Sequence, residues 1–446
     1  MALHVIGVYM SAIAARLSDA LGETGSLPWI KVAPDQQQQI MAAIATDHPP
    51  AAIAFPQTTA ELSKVMALAA ENGWRSLPMG QGSKLSWGGL AQQIDLVIST
   101  ARLNRVVEHA VGDYTVTVEP GLKVAELKQL LVEQKQFLAI DPAFANQATV
   151  GGVVATADTG SLRQRYGGLR DMLIGVQFAR YDGKLARAGG RVVKNVAGYD
   201  LMKLMTGAYG SLGILSELTF RLYPVQAESR SLILSGETAA IEQAAAAIRL
   251  SGLTPVALDI LSASLMDSLD RETSLSLVAR FQGIPAGVEE QIERLQKIAT
   301  DHSLTCQSLD GEADQDFWQQ LGDVLQSGTL ICKVGLRPSA ISAMLKLLGT
   351  VMPSALAKLQ VSSGLGWVQL ESVNETTDEL VNALEKLRSH CQINGGFLTL
   401  LQAPKALKQK IEIWGYSGNA SGVMSALKQK FDPHRLLSPG RFVGGL

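Results

Sequence analysis

Residues 147–224 set the tightest limit on how this chain can fold. They read QATVGGVVATADTGSLRQRYGGLRDMLIGVQFARYDGKLARAGGRVVKNVAGYDLMKLMTGAYGSLGILSELTFRLYP. Glycine returns every few residues, yet strands and one short helix still read between the glycines. Backbone of this kind lets N–H groups press against a large, phosphate-bearing ligand. A second loop of the same character, 78-PMGQGSKLSWGG-89, lies upstream.

That upstream loop leaves a strand and carries Gly80, Gln81, Gly82, Ser83 and Lys84, then Gly88 and Gly89. A pyrophosphate needs several backbone donors converging on it. Gly80 and Gly82 permit positive φ, Ser83 offers a hydroxyl, and Lys84 can add a charge. Leu85 stands where a dinucleotide fingerprint needs its third glycine, and the chain holds no Walker A motif. Alone, the loop reads equally as a surface turn.

Composition narrows the function classes. With 446 residues, two or three domains are expected. Net charge is −2, so no basic field draws nucleic acid. Cys306, Cys332 and Cys391 lie far apart and read as buried thiols; the chain cannot ligate an iron–sulfur cluster by itself. No apolar run is long enough to span a bilayer, and the N-terminus lacks a basic leader region. Ile13, Leu17 and Leu21 share a helix face that would pack on the body or on a partner.

The spacing predicts a helical extension over 1–45. Thr58 or Thr59 opens a helix that Gly73 ends, and a hairpin spans 106–119. Beyond Pro224 a β-α-β-β rhythm predicts an antiparallel sheet covered by helices on one face. Within 147–224, Thr149-Val150-Gly151-Gly152 opens a run of small residues through Thr156 to Gly160. Asp200 is placed to cap a short helix, and Ile214 starts a strand.

These motifs together resemble the FAD-binding domain of the vanillyl-alcohol-oxidase/PCMH flavoprotein superfamily. More narrowly, VVKNVAGYDLMKLM, GGFLTLLQAP and FDPHRLLSPGRF resemble the FAD-binding subunits of glycolate oxidase (glycolate dehydrogenase). The resemblance is strong over about 49–226 and weak over about 360–446. It implies an α+β architecture: a PCMH-type FAD-binding domain of two α+β subdomains over 46–226, then an α+β cap-like domain over 227–430. Residues 431–446 would return to the FAD domain. It implies FAD held by Gly80, Gln81, Gly82, Ser83, Lys84, Gly88, Gly89, Thr149, Gly151, Gly152, Thr156, Gly160 and Ile214. With neither His nor Cys in the 80–89 loop, the flavin should be non-covalent.

The implied activity is oxidation of glycolate or another 2-hydroxy acid. Implied partners are a larger FAD-binding homologue and an iron–sulfur subunit, in the cytoplasm or at the inner membrane through those partners. Alternatives are a free-standing hydroxy-acid or alcohol dehydrogenase and a non-catalytic, flavin-carrying assembly subunit. The chain departs from the family in two places. Ser438 replaces the usual Asn of Asn-Pro-Gly-Arg, and the 362–370 hairpin, SSGLGWVQL, lacks the His and Asp of hydroxy-acid-oxidising relatives. No metal site and no catalytic base is assigned. Arg191 and Lys194 could face a flavin or a carboxylate, or be surface charge; Tyr199 could neighbour a ring or lie in the core.

Overall fold

The structure is a computed structural model that describes residues 2–191, 198–373 and 377–446. Four strands form the first sheet: β1 (Ser26–Pro28), β2 (Ala52–Ala54), β3 (Ser76–Met79) and β4 (Leu96–Ser99), in the order β1-β2-β4-β3. β2 and β3 run parallel to β4, and β1 runs antiparallel to β2. Residues 1–45 therefore supply a strand as well as the helices Ala2–Leu21 and Pro34–Ala42. Ile13 and Leu17 are buried against Leu62, Val65 and Met66 of helix Thr59–Asn72, so the first helix packs on the body. Thr58 caps that second helix by accepting from the Glu61 amide at 3.1 Å, and Gly73 ends it at φ +67°.

The second sheet joins the two halves of the glycine-rich region. Its strands are drawn from β5 (Val106–Ala110), β6 (Thr115–Val118), β7 (Gln136–Phe137), β8 (Leu173–Ala179), β9 (Leu185–Gly189), β10 (Ile214–Arg221) and β11 (Tyr223–Pro224). Five of them order β5-β6-β10-β8-β9, while β7 and β11 pair separately. The 147–224 segment holds more helix than its glycines suggest: Val150–Thr156, Arg163–Tyr166, Leu169–Met172 and Leu201–Met205. Thr149 caps the first of these. Asp200 stands at the N-cap of the last but makes no capping bond; its carboxylate pairs with Lys203 at 3.3 Å.

Beyond Pro224 lies an eight-stranded sheet in which all neighbours are antiparallel. It comprises β12 (Glu228–Ser235), β13 (Ala257–Leu261), β14 (Ser276–Gly283), β15 (Thr305–Asp310), β16 (Leu330–Gly335), β17 (Leu356–Gln360), β18 (Leu365–Leu370) and β19 (Phe397–Gln402). Leu232 and Leu234 face a core shared with helices Thr238–Leu250, Pro285–Asp301, Ile341–Val351 and Asp378–Ile393. Ile233 faces the other way, onto helix Gly311–Gln326. One-sided coverage is thus incomplete as an expectation, because successive apolar residues on β12 need a core on each face. The rest of that second face meets the first half of the chain, where Ile331 and Leu401 bury Trp87.

Candidate functional site: a cleft among three glycine-bearing segments

The loop after β3, the start of helix Val150–Thr156 and the start of β10 meet around one cleft. Of the residues singled out in the sequence, Gly80, Gln81, Gly82, Ser83, Lys84, Thr149, Gly151, Gly152, Thr156 and Ile214 line it. Pro120, Tyr209, Gly210 and Arg441 complete much of the wall.

Two glycines serve the protein's own packing here. A Cβ at Gly80 would stand 2.1 Å from Thr149 Oγ1, and one at Gly151 would stand 2.5 Å from Pro120 Cβ. Thr149 Oγ1 in turn accepts from the Gly152 amide at 3.2 Å. The three segments can therefore close on one another only where side chains are missing.

The donors available to a ligand lie in the loop itself. Among the described residues, the amides of Gln81, Gly82, Ser83 and Lys84 donate to no protein acceptor. Four consecutive unpaired N–H groups form an anion-binding concavity of the kind phosphates occupy. Ser83, whose hydroxyl is a further donor, also lines the cleft. This donor set fits a diphosphate.

Lys84 behaves differently from the expectation that it charges the phosphate. Its Nζ donates to Ala143 O at 2.8 Å and lies 3.3 Å from Asp158 Oδ2, with both side chains buried. Burial lowers its pKa, and Asp158 opposes that shift. What Lys84 retains for the cleft is its backbone N–H.

Gly88, Gly89 and Gly160 lie outside the lining. The Gly88 amide donates to Leu401 O at 3.1 Å and the Gly89 amide to Arg441 O at 3.0 Å. Gly160 belongs to a buried polar junction. Its amide donates to Asp141 at 3.0 Å, and its carbonyl accepts from Gln360 Nε2 at 2.8 Å. Asp141 also accepts from the Ser161 amide at 2.6 Å, while Ser161 meets Asp259 and Lys358 of the eight-stranded sheet. Burial, first among several causes, pushes the Asp141 carboxyl up to about 6.

Other flagged residues fall elsewhere. Arg191 pairs with Glu108, Tyr199 is 89% exposed, and Lys194 lies outside the described residues. Cys306 is exposed rather than buried, whereas Cys332 and Cys391 are buried. In the 362–370 hairpin, Trp367 meets Trp87 edge-on at 5.5 Å. Among the described residues, no three His, Cys, Asp or Glu gather to hold a metal, and no helix is long and apolar enough to cross a membrane.

Tyr209 and Arg441 are two of the wall residues that the sequence reading missed. Tyr209 is half-buried at φ +52°, its amide donates to Ala155 O at 2.8 Å, and desolvation raises its phenol pKa. Arg441 stands in the Ser-Pro-Gly-Arg motif, which carried the family resemblance without Arg441 itself being placed at the cofactor.

Comparison with known proteins agrees with this geometry. Residues 50–189 match the family described as an FAD binding domain (FAD_binding_4). The chain is 29% identical over 261 residues to the mitochondrial D-lactate dehydrogenase (cytochrome) of Arabidopsis thaliana, covering 57% of this chain and 46% of that protein. It is 30% identical over 184 residues to glycolate oxidase subunit GlcD of Bacillus subtilis, covering 41% of this chain and 39% of that protein. The aligned parts thus span less than half of these relatives. The fold matches the crystal structure of p-cresol methylhydroxylase with substrate bound, with a TM-score of 0.76 at 15% identity, over 97% of this chain and 96% of that one. This chain therefore carries an FAD-binding domain within a PCMH-type fold, and FAD is its cofactor.

Proposed function

We propose that this chain is the FAD-binding subunit of a complex that oxidises glycolate or a closely related 2-hydroxy acid. The observation that carries this reading is the joint one: a diphosphate-fitting cleft in a chain similar to both a D-lactate dehydrogenase and a glycolate oxidase subunit. On this reading residues 46–226 and 431–446 form the FAD-binding unit, and 227–430 the cap-like unit. When bound, FAD supplies a hydride acceptor.

The chain's own residues hold and shield it. The amides of residues 81–84 and the Ser83 hydroxyl take the diphosphate. Gly151, Gly152 and Ala155 give a smooth wall along the rest of the molecule, and Gly80 lets the two loops close. Among the described residues no His or Cys lines the cleft, which supports a non-covalent flavin. Acid denaturation should then release all the flavin; flavin left on the polypeptide in a denaturing gel contradicts it.

A second reading has its own support. The hairpin that bears His and Asp in hydroxy-acid-oxidising relatives here bears Trp367, packed on Trp87. That favours a non-catalytic subunit whose flavin relays electrons or stabilises assembly with a larger FAD-binding homologue and an iron–sulfur subunit. Mixing the FAD-loaded chain anaerobically with glycolate separates the two. Bleaching of the flavin upholds oxidation in this chain. A flavin left oxidised by glycolate, D-lactate and D-2-hydroxyglutarate moves the chemistry to a partner. A chain that bleaches, turns over an artificial acceptor quickly and co-purifies with nothing is a free-standing dehydrogenase instead.

A further inference from the structure

Two buried cations grip the loop just after the unpaired amides. Arg441 donates from Nη1 to Leu85 O at 2.9 Å and from Nη2 to Trp87 O at 2.6 Å. Lys408 Nζ donates to Ser86 O, to Gly88 O at 2.8 Å and to Leu401 O at 3.4 Å. Four successive carbonyls are thus divided alternately between a guanidinium and an ammonium.

Lys408 is 6% exposed and Arg441 is 4% exposed. Among the described residues neither forms an ion pair, although Lys405 and Lys410, on the same helical turn as Lys408, pair with Asp47 and Asp378. Carbonyl dipoles offset only part of the cost of dehydrating a charge. Burial accordingly pulls Lys408 down to about 7, with Arg441 pushing in the same direction. Arg441 also forms part of the cleft wall. A guanidinium and an amine, both buried and neither in an ion pair among the described residues, therefore hold the loop that carries the four unpaired N–H groups.

We infer that Lys408 and Arg441 are positioning residues for the diphosphate of the cofactor, fixing the 85–88 carbonyls so that the preceding amides stay available and supplying the charge that a dianion balances. This rests on the cleft being the FAD diphosphate site. It requires no contact between Lys408 and the ligand, because Lys408 acts through the loop and through Arg441.

The test uses the whole apo-chain with FAD, ADP and adenosine as probes, followed by flavin fluorescence and calorimetry. In the wild type, ADP should bind roughly tenfold or more tightly than adenosine. Lys408→Met should keep the wild-type circular dichroism, weaken FAD and ADP each by roughly tenfold, and leave adenosine unchanged. Lys408→Arg should restore most of the loss. Unchanged ADP affinity in Lys408→Met overturns the inference. So does an equal loss for adenosine, which would leave the lysine a role in loop shape alone.

If Lys408→Met does not fold, Arg441→Gln is read in the same way. If neither folds, the wild-type apo-chain decides: its melting temperature should rise with inorganic pyrophosphate beyond the rise with chloride at equal ionic strength, and no extra rise overturns the inference. A wild type that binds FAD tightly but ADP and adenosine equally overturns the inference alone. A wild type that binds neither FAD nor ADP overturns the assignment of the cleft as well.

Discussion

Lys84 and Lys408 are both buried lysines attached to the same loop, and the protein accommodates them in opposite ways. Around Lys84 the charge is closed within the chain: Asp158 lies 3.3 Å away, and the Trp87 and Phe144 rings stand 5.5 and 5.7 Å off. Around Lys408 there are only carbonyls, and Arg441 adds a second positive charge. The first region is electrically complete once the chain folds. The second stays out of balance by itself, and through Arg441 it too reaches the cleft wall. One buried cation on this loop is thus neutralised within the chain, while the other is offset only by carbonyl dipoles.

The largest effect should come from opening the closed pair. Asp158→Asn leaves Lys84 buried without its carboxylate and should cost about 3–5 kcal/mol in urea unfolding of the apo-protein. A double variant, Lys84→Met with Asp158→Leu, should recover most of that. If Asp158→Asn is neutral, the two regions do not differ as described.

The next effect belongs to the unbalanced region. The Lys408 pKa in the folded protein, about 7, lies below the roughly 10.4 of a free lysine. Between those values the unfolded chain binds more protons than the folded one, so stability rises with pH. The penalty is complete below about 7 and gone above the free-lysine value. Apo-protein stability should therefore climb by up to about 1 kcal/mol per pH unit across this window. Lys408→Met should flatten the climb, and saturating FAD should reduce it.

Gly82 tests backbone shape without touching either charge. It sits at φ +89°, with the Gln39 side chain 2.8 Å from where a Cβ would stand. Gly82→Val should cost about 1–2 kcal/mol of strain and give a folded protein that purifies without yellow colour. Stoichiometric FAD in that variant would remove the loop from the phosphate site.

The smallest effect concerns the turn that delivers Arg441. Ser438 is fully buried at φ +46°, and its hydroxyl finds no hydrogen-bond partner. Ser438→Gly should raise stability by about 0.5–1 kcal/mol, read in urea unfolding because the matching rise in Tm is only about 1 °C.

Much of the first region was legible because its signals are local. Glycine spacing marked the loop, and Thr58 and Gly73 marked one helix through its caps. The second region was not, because burial is a tertiary fact. Lys408 sits in KALKQK, a basic run that reads as a solvated face, yet its ammonium is enclosed by carbonyls from distant segments. Two of the elements that escaped the sequence reading did so for a related reason. Strand Thr305–Asp310 lies at the sheet edge and is mostly exposed, so it shows no apolar alternation. Helix Gly311–Gln326 follows it at once, without a side-chain cap. The 147–224 segment, read as ligand-bearing, held too little helix in that reading, since Gly151 and Gly152 disguise a helix start that Thr149 alone announces.

The strap from Leu436 to Arg441 also puts the site on a clock. Ser76 bonds Leu436 across 360 positions of sequence, and Arg441 reaches Leu85 across 356. At about 5–20 residues per second, a ribosome finishes the loop roughly 20–70 s before it makes the arginine that holds it. During that interval the 85–88 carbonyls have neither clamp, whatever the rest of the first sheet has achieved. If the cleft is the diphosphate site proposed above, flavin capture in the clamped geometry is a late event in the life of the nascent chain.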